Sequence, residues 1–98
     1  MYLRIVVARI DGHCPVYKTG DVFELKDGYR LTAEKPLCMH GLAALMPFYN
    51  ALRFIDPAAI GLADKEDPSR ACVQCPDAVD CTGGGRVVFR INRIEGEL

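Results

Sequence analysis

The sequence, 98 residues long, has no tryptophan, two histidines and a single serine, Ser69. One serine with no Gly-x-Ser-x-Gly elbow around it leaves serine-nucleophile catalysis without a nucleophile. A Gly-x-x-x-x-Gly-Lys-Ser/Thr loop is also missing. Gly83-Gly84-Gly85 runs into a strand-like segment, so it cannot aim a helix N-terminus at a phosphate. No apolar run approaches the ~18 residues of a membrane span. Neither sign of charge dominates: 12 Lys and Arg stand against 13 Asp and Glu, for a formal net charge of −1. That balance argues against a nucleic-acid binder or a binder of anionic membranes working by bulk charge. Internal repeats and low-complexity segments are absent. The carboxylate pairs Glu66-Asp67 and Glu95/Glu97 fall in a loop and a tail, where solvation is the expected role. Arg4 and Arg9 flank an apolar run too short for a signal-peptide core, so a cytoplasmic location is expected.

Half of the residues are hydrophobic and 26% are charged, an ordinary globular composition for one domain over residues 1–98. The first ten residues read as a strand, with Leu3, Ile5 and Val7 on one face. After Asp11-Gly12 a loop carries His13, Cys14 and Pro15. Val22 to Leu25 is a second strand. Lys26-Asp27-Gly28 marks a tight turn, and Tyr29 to Thr32 returns as its hairpin partner. From Leu37 to Ile55 the period changes: Leu42, Leu45, Met46, Tyr49 and Leu52 share one helical face. Pro47 interrupts this stretch and predicts either a kink or two short helices. Asp56 to Arg70 reads as a long surface connection, Ala71 to Cys75 as a short strand, and Pro76 to Gly85 as a loop. Arg86 to Ile94 is the last strand, with Val87, Phe89 and Ile91 facing inward. The expected fold is α+β: a small, mostly antiparallel sheet of four to five strands packed against one Pro-kinked helix or two short ones. Pairing of the terminal strands would allow Arg4, Arg9, Arg90 and Arg93 to gather on one edge, with a structural surface role still the favoured one.

The unusual feature is five cysteines. An odd count prevents full internal pairing, and a reducing cytosol keeps thiols free. Metal ligation, thiol chemistry and plain packing remain. Cys72-Val73-Gln74-Cys75 has the two-residue spacing that turns two thiolates toward one ion, and Cys81 follows closely enough to join them. A fourth ligand has to come from Cys38, Cys14 or His40. Cys38 lies at the start of the expected helix, where free backbone N–H groups favour a thiolate. Against these readings, free cysteine packs as a small hydrophobe and is among the most buried residue types. A thioredoxin-like reading fails on context, because Cys75 is followed by Pro76, Asp77 and a glycine loop rather than a helix.

Several pieces stand in a fixed order along the chain: Gly12-His13-Cys14-Pro15, Tyr17-Lys18-Thr19-Gly20-Asp21-Val22-Phe23, Leu37-Cys38, Ala43-Ala44-Leu45-Met46-Pro47-Phe48 and Cys75-Pro76-Asp77. In this order the chain resembles a family of small uncharacterised prokaryotic proteins, most a little under a hundred residues long. The resemblance implies that Cys14, Cys38 and Cys75 are the recurrent thiols and that Pro47 belongs to the helix. It lends no activity. Cys72 and Cys81 depart from the pattern, which has one late cysteine.

Spacing and resemblance agree on Cys75 and differ over its partners. The leading expectation is a small cytosolic protein whose cysteine cluster binds zinc or an iron–sulfur cluster for a structural or regulatory purpose. Its candidate ligands are Cys14, Cys38, Cys75, Cys72, Cys81 and His40. One alternative is thiol chemistry with Cys38 as nucleophile and Cys14 or Cys75 resolving. The other is a metal-free interaction domain with buried cysteines. No catalytic group is assigned and no partner is identified. A homodimer is compatible with the composition, but no stripe marks an interface.

Overall fold

The computed structural model describes residues 1–97. Five strands form one open antiparallel sheet: β1 (Tyr2–Gly12), β2 (Val22–Lys26), β3 (Arg30–Thr32), β4 (Ala71–Gln74) and β5 (Gly85–Ile94). Their spatial order is β3-β2-β1-β5-β4, and each neighbouring pair is antiparallel. The expected α+β class and its antiparallel sheet are therefore what the chain adopts. The termini supply the two longest strands, β1 and β5, paired from Tyr2↔Ile94 to Gly12↔Gly85 with a bulge between Val7 and Arg9. Asp27 and Gly28 both take positive φ in the β2–β3 turn, the backbone that a tight hairpin requires.

Side chains alternate across a strand, and this alternation builds the core. Leu3, Ile5 and Val7 of β1, Phe23 of β2, Val73 of β4 and Val87, Phe89 and Ile91 of β5 are buried together. Phe89 has no exposed surface. Its ring meets Tyr17 edge-on at 5.6 Å and Phe23 edge-on at 6.1 Å. Complete burial of such a side chain stabilises the fold by about 1.5–3 kcal/mol. Helix α1 (Met39–Leu45) covers this face, with Leu45 inside. Gly41 permits the approach, because a Cβ there would lie 2.9 Å from the tip of the Phe89 ring.

The apolar period from Leu37 to Ile55 does not make one long helix. Helix α1 has seven residues and ends on Met46, just before Pro47, whose ring and missing N–H disrupt the next turn. The chain then continues in separate turns, including a 3₁₀ turn at Ala51–Arg53 that buries Leu52. Arg93 fastens these turns to β5 by donating to the carbonyls of Leu52 at 3.1 Å and Ile55 at 2.7 Å. The Asp56 to Arg70 connection contains a 3₁₀ turn, Pro57–Ile60, and an antiparallel bridge from Ala63 to Ala71. The glycine-rich loop also holds a single helical turn, α2 (Val79–Thr82). The four arginines do not form a free basic edge: Arg4 bonds Tyr2, Arg9 bonds Asp11, Arg90 faces Asp64, and Arg93 is used as above. No helix among the described residues is long and apolar enough to cross a membrane.

Candidate functional site

All five cysteines are free thiols. Three of them belong to the core side of the sheet: Cys75 is buried in it, and Cys14 and Cys38 pack against it half-buried. Cys75 prolongs the buried face of β4. Its amide donates to the Val87 carbonyl at 2.9 Å, while its Sγ accepts the Val87 amide at 3.2 Å and donates to the Gly85 carbonyl at 3.7 Å. Cys14 follows the end of β1. The His13 amide donates to the Gly84 carbonyl at 3.2 Å, which lays the start of the loop against β5. This contact is so close that a Cβ on Gly85 would fall on the His13 carbonyl and the Cys14 amide. Gly85 thus touches the Cys14 backbone on one side and the Cys75 thiol through its carbonyl.

Tyr17 connects the remaining pair. The Cys14 Sγ accepts the Tyr17 amide at 3.3 Å, and the Tyr17 hydroxyl accepts the Cys38 amide at 3.0 Å. Tyr17 is only 4% exposed. Burial pushes its phenol up from the ordinary value; the Cys38 amide opposes this, and the charges of Cys38 and Cys14 add to the rise. Cys38 occupies the N-cap position of α1 with an extended backbone, and its side chain makes no capping bond. A groove of about 440 Å³ lined by Gly12, His13, Cys14, Pro15 and Tyr17 among others brings solvent to the Cys14 side.

The Cys72 and Cys75 spacing acts differently in this backbone than in a ligand knuckle. Three steps along an extended strand reverse the face, so Cys75 enters the core and Cys72 joins the opposite surface. There Cys72 lies near Asp64, and burial followed by the Asp64 charge pushes its thiol up. Cys81 is exposed in α2, and His40 is exposed in α1. Among the described residues, no three His, Cys, Asp or Glu side chains are grouped closely enough to hold one metal ion.

Asp64 was hidden within an apparently solvated charge run, yet it is 7% exposed. It accepts the Glu66 amide at 2.9 Å and Arg70 at 2.7 Å, with Arg90 at 3.4 Å. The Glu66 amide first, then Arg70, holds its carboxyl down at about 2. Nothing in the local sequence singles it out: the Ala63–Ala71 bridge closes the loop that sets Arg70 beside it, and Arg90 arrives only through the β4–β5 pairing.

No family model, curated protein or solved structure matches the chain.

Proposed function

We propose that Cys14, Cys38 and Cys75 form the working group of this protein and that they take a thiophilic metal, zinc or an iron–sulfur cluster. The observation that carries this reading is the pair of backbone N–H groups aimed at sulfur, Tyr17 to Cys14 and Val87 to Cys75. Each N–H fixes where its sulfur sits, and deprotonated sulfur is the form that ligates a metal. The same three residues carry the resemblance to the small prokaryotic family, and membership of that family is part of the proposal. The three sulfurs are not grouped as a ready ligand set. Binding therefore entails drawing the Cys14 loop and the start of α1 toward β5, which couples metal affinity to local ordering. When bound, the metal would staple a small core across three separate segments. Elemental analysis and an absorbance spectrum of protein purified without oxygen test this. Near-stoichiometric zinc or iron is expected; metal-free protein that also fails to bind added zinc would overturn the reading.

A second reading, in which two thiols suffice, rests on the neighbour that Cys14 and Cys75 share. Cys14 and Cys75 both approach Gly85. Their oxidation to a disulfide would release two protons and pass two electrons to a small-molecule disulfide, itself reduced to two thiols. Titration with oxidised glutathione followed by mass analysis separates the readings. The thiol reading predicts a two-proton mass loss confined to peptides carrying Cys14 and Cys75.

A further inference from the structure

We propose that the outer edge of β3 is a homodimer interface, at which two copies join their sheets antiparallel through Leu31. β3 ends the sheet, and its three residues are all exposed. In an edge strand of an antiparallel sheet, about half of the backbone N–H and C=O groups point outward, ready to bond a further strand. Directly beneath this edge is a cavity of about 190 Å³ lined almost wholly by carbon, including Leu25, Tyr29, Leu31, Leu42, Met46 and Tyr49. Its rim carries an unusual share of exposed apolar surface: Tyr29 is 73%, Met46 63% and Leu31 42% exposed.

The occupant that fits this edge is a second copy. An antiparallel pairing with its two-fold axis at Leu31 sets Leu31 against Leu31 of the second copy and Arg30 against Thr32 of the second copy. No like charges then stand directly opposite, and Asp27 lies 3.7 Å from Arg30 to offset its charge. The same symmetry brings the two apolar rims together, so Tyr29 and Met46 of each copy lose water beside the new strand pair.

The far side of the sheet limits the assembly to two. There the β4 edge is occupied by residues 62–64: Cys72 donates to the Leu62 carbonyl and Asp64 to the Arg70 carbonyl, both at 2.9 Å, and Ala63 bridges Ala71. Pro76 stands just beyond and offers no N–H. With one edge open and the other blunted, edge pairing closes as a two-fold dimer and does not propagate into a fibre. A three-residue strand buries little, and a specific interface of standard size removes about 1,600 Å² in total. The expected dimer is accordingly weak and depends on concentration.

Sedimentation of the full chain from micromolar to millimolar concentration tests the proposal, with Leu31→Lys and Tyr29→Asp measured alongside. Tyr29 is mostly exposed, so its variant keeps the fold even if Leu31→Lys does not, and circular dichroism checks both. The expected result is a monomer–dimer equilibrium in the wild type, with dimerisation weakened at least tenfold in Tyr29→Asp and in folded Leu31→Lys. Hydrogen exchange should also slow at residues 30–32 as concentration rises. A wild type monomeric at millimolar concentration overturns the proposal. So does a dimer that Tyr29→Asp leaves intact, or one in which the amides of residues 30–32 gain no protection.

Discussion

Gly85 and Asp64 are two residues whose environments constrain substitution. Gly85 is pressed against the His13 carbonyl and the Cys14 amide by the β1–β5 pairing. Replacing it with alanine should force the Cys14 loop away from Cys75 and destabilise the fold by ~1–3 kcal/mol, the usual cost of overpacking. Urea unfolding checks this, and an unchanged midpoint would mean that the loop is not held there. Asp64 gives a pH signature. A carboxyl held below its unfolded-state value stabilises the fold above that value and loses the contribution as pH falls through its folded value. With Asp64 lowered from 3.8 to about 2, wild-type stability should decline as pH falls across that interval. In Asp64→Asn the melting temperature should be lower at neutral pH, where Arg70 and Arg90 lose their anion, and should fall less than in the wild type between pH 4 and 2 (about the interval of the shift). Parallel melting curves for the two proteins would show that the carboxylate carries no such linkage.

At the scale of elements, strand patterning was legible and helix length was not. Leu3, Ile5 and Val7 alternate with a mixed set that includes Arg4, Val6 and Ala8; Val87, Phe89 and Ile91 alternate with Arg86, Val88 and Arg90; and each inward set faces the core. Alternation reports burial on one side of a strand directly, so these positions needed no tertiary information. For the 37–55 stretch a kinked helix and two short ones both stayed open, because its apolar spacing persists through Pro47. The inward face is kept by successive short turns, with Leu45 and Leu52 both buried although they belong to different turns. Pro47 is itself exposed, so Pro47→Ala should leave the core in place while supplying an N–H for the Ala43 carbonyl. The expected outcome is a longer α1, seen as a stronger helical circular-dichroism signal and a protected amide at residue 47. Of the cysteine pattern, the separation of Cys72 from Cys75 was not legible. A two-residue spacing between cysteines suits a knuckle, but β4 runs extended from Ala71 to Gln74, and in that backbone the same spacing sends Cys72 and Cys75 to opposite faces.

For the molecule as a whole, one feature joins architecture to chemistry: the two longest strands bring together segments far apart in the chain. The β1–β5 ladder sets the loop after Gly12 beside Gly85, and the β4–β5 ladder sets Cys75 beside Val87. Tyr17 then ties the Cys14 loop to the entry of α1. The segments that carry Cys14, Cys38 and Cys75 are therefore joined only once the sheet has formed. A metal bound by these thiols would report on, and reinforce, the complete fold.

Zinc stoichiometry across the five single Cys→Ser variants, each purified without oxygen and titrated with zinc under one chelator competition, tests this account most directly. The account predicts near-stoichiometric binding in the wild type, in Cys72→Ser and in Cys81→Ser, with loss of binding in Cys14→Ser, Cys38→Ser and Cys75→Ser while each variant remains folded. Loss of zinc from Cys72→Ser or Cys81→Ser with retention in Cys14→Ser and Cys38→Ser, or a wild type that holds no iron and binds no zinc, would contradict it.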